Sequence, residues 1–447
     1  LILSCIPALG IAQSVPFPAP GHEGLNTKNI GHIDFDNDAR LFLNFWTQNR
    51  VMYNLSNVPG PGGTTFQNTK AYDFFRQRFR AALDVRYADS TRAVQAGVYT
   101  QLEYRGGWGG SSPAFSDPRT PGPDLNPYNF LQARGVRYGF VYFDYNKKTR
   151  LAAGILPLTD NVGRVLFDAD WDFNVGGVTL GGPFFEKGTY RMAYVRLLDG
   201  VGALSPEGIQ DNGNFVILEA AYPLRDNLQL GGHLYGLTMP ASLNVAEIGN
   251  QWWLGLTLKG HKELIEYDGL LLFNAGKMKG TSHQGFATKW GLHLPAGRGK
   301  WSLMGLMSTG DESGEISNRF VTLHQIVQTA GYWGMAHIYT PNGPSDVNDF
   351  GLEPGNRGAG LLTVQAQYGF PLPAENMNAN VYAAWFQAMK DRNNAKTMGV
   401  EFGGMLTFSL AKYLNLEVGG AYATVGDHIA PDADGIFELF SRFQFAW

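Results

Sequence analysis

Cysteine is nearly missing from this chain: among 447 residues there is one, Cys5. That excludes a disulfide framework, a thiolate metal site and a haem-attachment motif from everything downstream of it. Charge is also scarce, with 17% Asp, Glu, Lys and Arg and a formal net charge of −4. A nucleic-acid binder would carry a basic excess instead. No internal run approaches the ~18 uninterrupted apolar residues of a transmembrane helix, and the mean hydropathy is −0.17. Catalytic signatures are lacking too. No Gly-x-Ser-x-Gly elbow, His-Glu-x-x-His pair or phosphate-cradling P-loop occurs, and the nine histidines are scattered. The reading is a non-enzyme without cofactor or metal.

Glycine and aromatics fill the space left by charge: 57 glycines and 13% Phe, Trp and Tyr. An aromatic, glycine-rich, charge-poor chain without spanning helices fits a sheet that faces lipid on one side only. The start, Leu1 to Ala12, reads as the apolar region of a secretory signal without its basic leader, with Gly10 and Ala12 as the small residues before cleavage. The expected organisation is a signal peptide over 1–12, an N-terminal periplasmic segment over 13–38, and a barrel over 39–447.

Segments of about ten residues alternate in polarity from Ala39 onward. The clearest is 75–87. Phe75, Phe79, Ala81, Leu83, Val85 and Tyr87 share one face, and Arg76, Arg78, Arg80, Asp84 and Arg86 share the other. A period of two is strand geometry, because successive side chains leave opposite faces of a strand. The same alternation recurs over 92–104, 251–259, 397–409 and 414–424. It is strongest at the end, where Phe437, Leu439, Phe443, Phe445 and Trp447 alternate with Glu438, Arg442 and Gln444. Connections sort by length: short ones at 88–90, 146–148, 223–227, 295–300 and 411–413, long ones at 51–72, 106–129, 310–358 and 426–435. Short turns at one end and long loops at the other are the pattern of a transmembrane antiparallel β-barrel. Counting strands inward from the two ends of the chain gives a conflict of direction. Either a strand hides in 201–210, or 158–187 contains a second crossing. An even total of 18 strands resolves it, with 16 as the alternative.

The chain resembles the bacterial porins of the alginate-export type. The likeness rests on Phe74-Phe75-Arg76-Gln77-Arg78-Phe79-Arg80, the strand bearing Gln101 and Glu103, Leu131-Gln132-Ala133-Arg134, the strand centred on Gly154, Asp170-Trp171-Asp172 and Phe184-Phe185. It covers roughly residues 39–200 and the last strand. It implies an 18-stranded barrel in the outer membrane of a Gram-negative-type bacterium, with a positively charged conduit. The sequence departs from the family at Asn161-Val162-Gly163-Arg164-Val165 and near Gly154, so a channel for small polar, anionic solutes is expected rather than one dedicated to alginate.

Candidate pore-lining residues are Arg76, Arg78, Arg80, Arg86, Arg40, Asp84, Glu103 and Arg134, with Arg50 in phase on the preceding strand. Stacked guanidinium groups repel one another unless acids or passing anions neutralise them, and arginine rings in a pore favour anions. Pairing with Asp84, Glu103, Asp144 and Glu438 to stiffen the wall is the rival reading, and both stay open. The segment 160–186, with Asp160, Asp168, Asp170 and Asp172, is the candidate constriction loop; an outer loop covering the mouth is its alternative. The loop 310–358, with a short helix expected over 320–327, is a candidate lid. Partners are membrane lipid and small anionic solutes, and Trp252 and Trp385 on the outward face would also serve a homotrimer. A barrel scaffold for a cytochrome conduit or a surface-layer anchor is the alternative function.

Overall fold

Strict alternation along the strands decides the architecture, because it leaves one apolar and one polar face that only a closed sheet can keep apart. The computed structural model describes residues 28–447 apart from 36–38, 59–65, 67–68, 90–92, 109–134, 147, 172, 186, 199–211, 240–247, 313–315, 328–330, 342–349, 375 and 393. In chain order the strands are β1 (Lys28–Asp34), β2 (Arg40–Ser56), β3 (Tyr72–Ala88), β4 (Val94–Gly107), β5 (Val136–Tyr145), β6 (Thr149–Pro157) and β7 (Asn174–Phe184). There follow β8 (Gly188–Leu198), β9 (Gly213–Arg225), β10 (Leu228–Thr238), β11 (Ile248–Lys262), β12 (Ile265–Met278) and β13 (Thr281–Ala296). The last six are β14 (Gly299–Ser308), β15 (Leu361–Pro371), β16 (Met377–Arg392), β17 (Ala395–Ala411), β18 (Leu414–Ala423) and β19 (Ile436–Ala446). Each strand from β2 to β19 pairs antiparallel with the next, and β19 closes on β2 through Glu438↔Ser56 to Ala446↔Gln48. The ring therefore has 18 strands.

The direction conflict resolves at β7. The second crossing lies inside 158–187, so the candidate constriction segment is half loop, 158–173, and half barrel wall. Strand β1 lies outside the ring. It pairs with residues 40–45 of β2 on the edge that β19 leaves, and Trp447 exchanges backbone hydrogen bonds with Thr47 where the two meet. The seam thus carries no long unpaired edge.

Sorting of connections by length is not complete. The loop end also holds the two-residue turn 279–280. Lys279 and Gly280 both have positive φ (51° and 76°), the backbone of a tight hairpin turn. The expected helix over 320–327 is reduced to one turn, His324–Val327.

Outward positions form the apolar belt. Leu254 faces Phe273 and Leu256 faces Leu271 across β11 and β12, and all four are exposed. Trp252 and Trp385 point outward as well, whereas Trp253 is fully buried on the lumen side. Leu256 is 53% exposed on the outward face. Leu256→Arg is therefore expected to lower the unfolding free energy in lipid vesicles by about 2–4 kcal/mol, the cost of an arginine near the bilayer midplane. Denaturant titration in vesicles against the unmodified protein checks this.

Candidate functional site

Inward positions of β2 to β5 build a wall of arginine. Register places Gln444, Arg50, Arg78 and Arg105 in one row across β19, β2, β3 and β4. One step toward the turn end, Gln48, Arg80 and Glu103 are opposite one another, and one step toward the loop end Arg76 faces Met52. Directly opposite residues in an antiparallel pair have Cβ atoms about 4.5–5.5 Å apart, so like charges there repel. Neutral oxygens and one carboxylate relieve this. Arg50 Nε donates to Gln444 Oε1 at 2.8 Å, and Arg78 Nη2 donates to Gln48 Oε1 at 2.8 Å. Glu103 takes three guanidinium groups: Arg80 through Nε, Arg137 at 2.7 Å and Arg105 at 3.5 Å.

Arg137 reaches Glu103 because of a bulge. Gln101 pairs with Tyr138 and Leu102 with Val136, which leaves Arg137 as the extra residue of β5. Bulges re-aim a side chain, and here both Arg137 and Tyr138 are buried. Arg137 Nη2 also donates to the carbonyl of Ala169 at 2.8 Å.

The remaining candidates lie elsewhere. Asp84 interrupts the stripe, accepting from Asn44 Nδ2 at 2.9 Å and from the Tyr142 hydroxyl at 2.7 Å. Arg86 sits at the turn end over the ring of Phe42. Arg40 is outside the row, paired with Asp34 of β1 at 2.8 Å with its side chain 44% exposed. Asp144 pairs with Arg150. Arg134 and Asp172 lie outside the described residues. Arg105 was in phase with Gln101 and Glu103 and legible by alternation; Arg137 was not, since a bulge leaves no trace in a strict two-residue period.

The loop 158–173 folds into the barrel. Leu158, Val162, Val165, Leu166 and Phe167 are buried, and the Phe167 ring stands edge-on to Phe215 and Tyr235 of the inner wall. A loop inside a lumen has no neighbouring strand to satisfy its amides, so another acceptor is needed. Asp160 supplies it, taking the backbone N–H groups of Val162, Arg164, Leu166 and Phe167 at 2.6–3.0 Å. Burial pushes the Asp160 carboxyl up to about 6, against the downward pull of those N–H groups. Glu219 on β9 accepts from the Asn161 backbone and side chain and pairs with Arg191 at 2.5 Å, and Lys289 Nζ donates to the Gly163 carbonyl at 2.9 Å. Asp168 and Asp170 both pair with Arg164 of the same loop at 3.3 Å.

The candidate lid is a second loop that folds inward. Within 309–360, the N–H groups of His337, Ile338 and Tyr339 donate to the Glu401 carboxylate of β17 at 2.6, 3.0 and 2.9 Å, and the Tyr382 hydroxyl donates to it at 2.5 Å. The two loops touch: the Tyr332 N–H donates to Asp168 Oδ2 at 3.2 Å. Asp160 and Glu401 are thus occupied by loop amides, and Asp168 and Asp170 by Arg164. Among the described residues, no group of three His, Cys, Asp or Glu is placed to hold a metal.

The pKa of Asp160 carries a pH dependence. A carboxyl raised in the folded loop from 3.8 to about 6 favours the infolded state fully below pH 3.8 and loses that contribution as pH rises through 6. The loss amounts to about 3 kcal/mol. Protection of this loop from added protease is expected to fall between pH 4 and pH 7, and Asp160→Asn is expected to abolish that pH dependence.

No family model and no curated protein matches the sequence. Solved structures do match its shape. OccAB1 of Acinetobacter baumannii is 13% identical, over 94% of this chain and 99% of that one, with a TM-score of 0.58. A BenF-like porin from Pseudomonas fluorescens Pf-5 is 13% identical, over 90% and 98%, at 0.56. OccK2 (OpdF) of Pseudomonas aeruginosa, solved in complex with glucuronate, is 13% identical, over 93% and 99%, at 0.53. At that identity the likeness is one of fold: this chain has the closed 18-stranded barrel of porins.

Proposed function

We propose that the protein is an outer-membrane porin, a water-filled channel for passive diffusion of small polar, anionic solutes. The observation that carries this reading is the row Arg50–Arg78–Arg105, flanked by Arg76, Arg80 and Arg137, on one wall of a barrel whose loop acids are already occupied. A guanidinium fork matches a carboxylate in two parallel hydrogen bonds. OccK2 in complex with glucuronate and OpdK of Pseudomonas aeruginosa with vanillate are channels of the same fold holding carboxylates, so a carboxylated solute is the class proposed here. The finer likeness to alginate-export porins supports the same charge preference. Two loops that meet across the lumen favour a small solute over a polymer. Membrane lipid covers the outward belt in this reading, with Trp252 and Trp385 available to a homotrimer contact.

Solute uptake separates charge from size. In proteoliposome swelling, Arg50→Gln/Arg78→Gln/Arg105→Gln is expected to slow glucuronate on the order of fivefold, the Boltzmann factor of about 1 kcal/mol of lost attraction. Glucose should be unaffected. Equal slowing of both solutes would mean the row shapes the passage without selecting charge, and the anionic reading would fail.

A further inference from the structure

Three more arginines meet at the loop end, on elements separate from the wall. Arg319 and Arg357 belong to the 309–360 connection, and Arg392 is the last residue of β16. Arg392 Nη2 donates to the Arg357 carbonyl at 2.7 Å. The Arg319 side chain lies over Gly358, so that a Cβ there would come within 2.7 Å of its Nε and 2.9 Å of its Cζ. The charges of Arg357 and Arg319 both act on Arg392.

These charges lack acids. Among the described residues no carboxylate lies within ion-pair distance of Arg319, Arg357 or Arg392, and Arg319 Nε is buried without a hydrogen-bond partner. Glu353, the acid that acts on Arg392, is itself buried and accepts from Thr322 Oγ1, Gln325 Nε2 and the N–H groups of Gly355 and Arg357. Asp311 accepts twice from the Asn318 N–H. The backbone is strained at the same place. Asn356, Arg357 and Gly358 are successive left-handed residues with φ of 47°, 51° and 93°. For a non-glycine residue that conformation costs about 1–2 kcal/mol. Strain of this kind gathers at ligand clamps, and three clustered guanidinium ions are stabilised when a multivalent anion lies among them.

We propose that Arg319, Arg357 and Arg392 form a binding site for a phosphate-type dianion at the loop-end mouth, distinct from the lumen wall. Each guanidinium offers a fork of N–H donors to tetrahedral oxygens. The chemistry is shared by a phosphorylated solute and by the phosphate of a lipid headgroup. The site does not depend on whether the barrel conducts.

Calorimetric titration of inorganic pyrophosphate into the full-length protein, refolded in phosphate-free detergent without lipopolysaccharide, tests it. One saturable site is expected, weakened at least tenfold by Arg357→Gln/Arg392→Gln and separately by Arg319→Gln, and retained in Arg50→Gln/Arg78→Gln/Arg105→Gln. Unshifted heat-modifiable gel mobility confirms that each variant is folded. Absence of saturable heat, equal affinity in the rim variants, or loss only in the lumen variant would overturn the proposal. Added lipopolysaccharide micelles then distinguish the source: competition with pyrophosphate assigns the site to a lipid phosphate, and its absence assigns it to a soluble one. Because the readout is binding, failure of channel activity would leave this result standing, and the reverse.

Discussion

Closure of β19 on β2 is the contact on which every other feature rests. In hydrocarbon an unpaired backbone group costs several kcal/mol, so a spanning sheet must have no edge. Nine residue pairs from Glu438↔Ser56 to Ala446↔Gln48 remove the edge, and β1 continues the pairing where β19 ends. Closure also separates two solvents. Residues such as Phe79 and Leu83 are left to lipid, while Arg78 and Arg80 on the same strand are held inside. A guanidinium group in the bilayer would be costly; inside the ring it needs only an acceptor. Glu103 is that acceptor for three of them, which ties β3, β4 and the bulged residue of β5 into one network.

Strands announced themselves where charge marked the inner face. The run from Phe75 to Tyr87 was legible because arginines alternate with apolar residues, and its paired register follows that alternation throughout. Strand β7, with the sequence NVGGVTLGGPF, was hidden. Apart from Val175 its inner positions are Gly177, Thr179 and Gly181, and the segment before it is as apolar as a strand. Only the demand for an even count pointed to a crossing there. The loops were less legible still. Val162, Val165, Leu166 and Phe167 carry no periodicity that distinguishes a lid from a plug, and nothing local to 337–339 says that Glu401, some 60 residues later, accepts its amides. Arg137 entered the site through a bulge that only pairing reveals.

Asp160, within its own loop, and Glu401, on β17, solve the same problem for two different loops. Irregular backbone in a lumen has amides with no strand to bond them, and one carboxylate facing three or four N–H groups satisfies them together. The consequence is electrostatic. Those carboxylates are consumed by the loops they hold, and Asp168 and Asp170 are consumed by Arg164. These acids are tied to their own loops rather than to the arginines of β2 to β5, and the field of that wall acts along the passage.

That field is the central claim, and ion selectivity reads it most directly. The reversal potential of the protein in a planar bilayer under a tenfold potassium chloride gradient should have the sign of chloride preference and should collapse toward zero as ionic strength rises on both sides. A reversal potential of the cation-selective sign, or a refolded barrel that carries no current, would contradict the account.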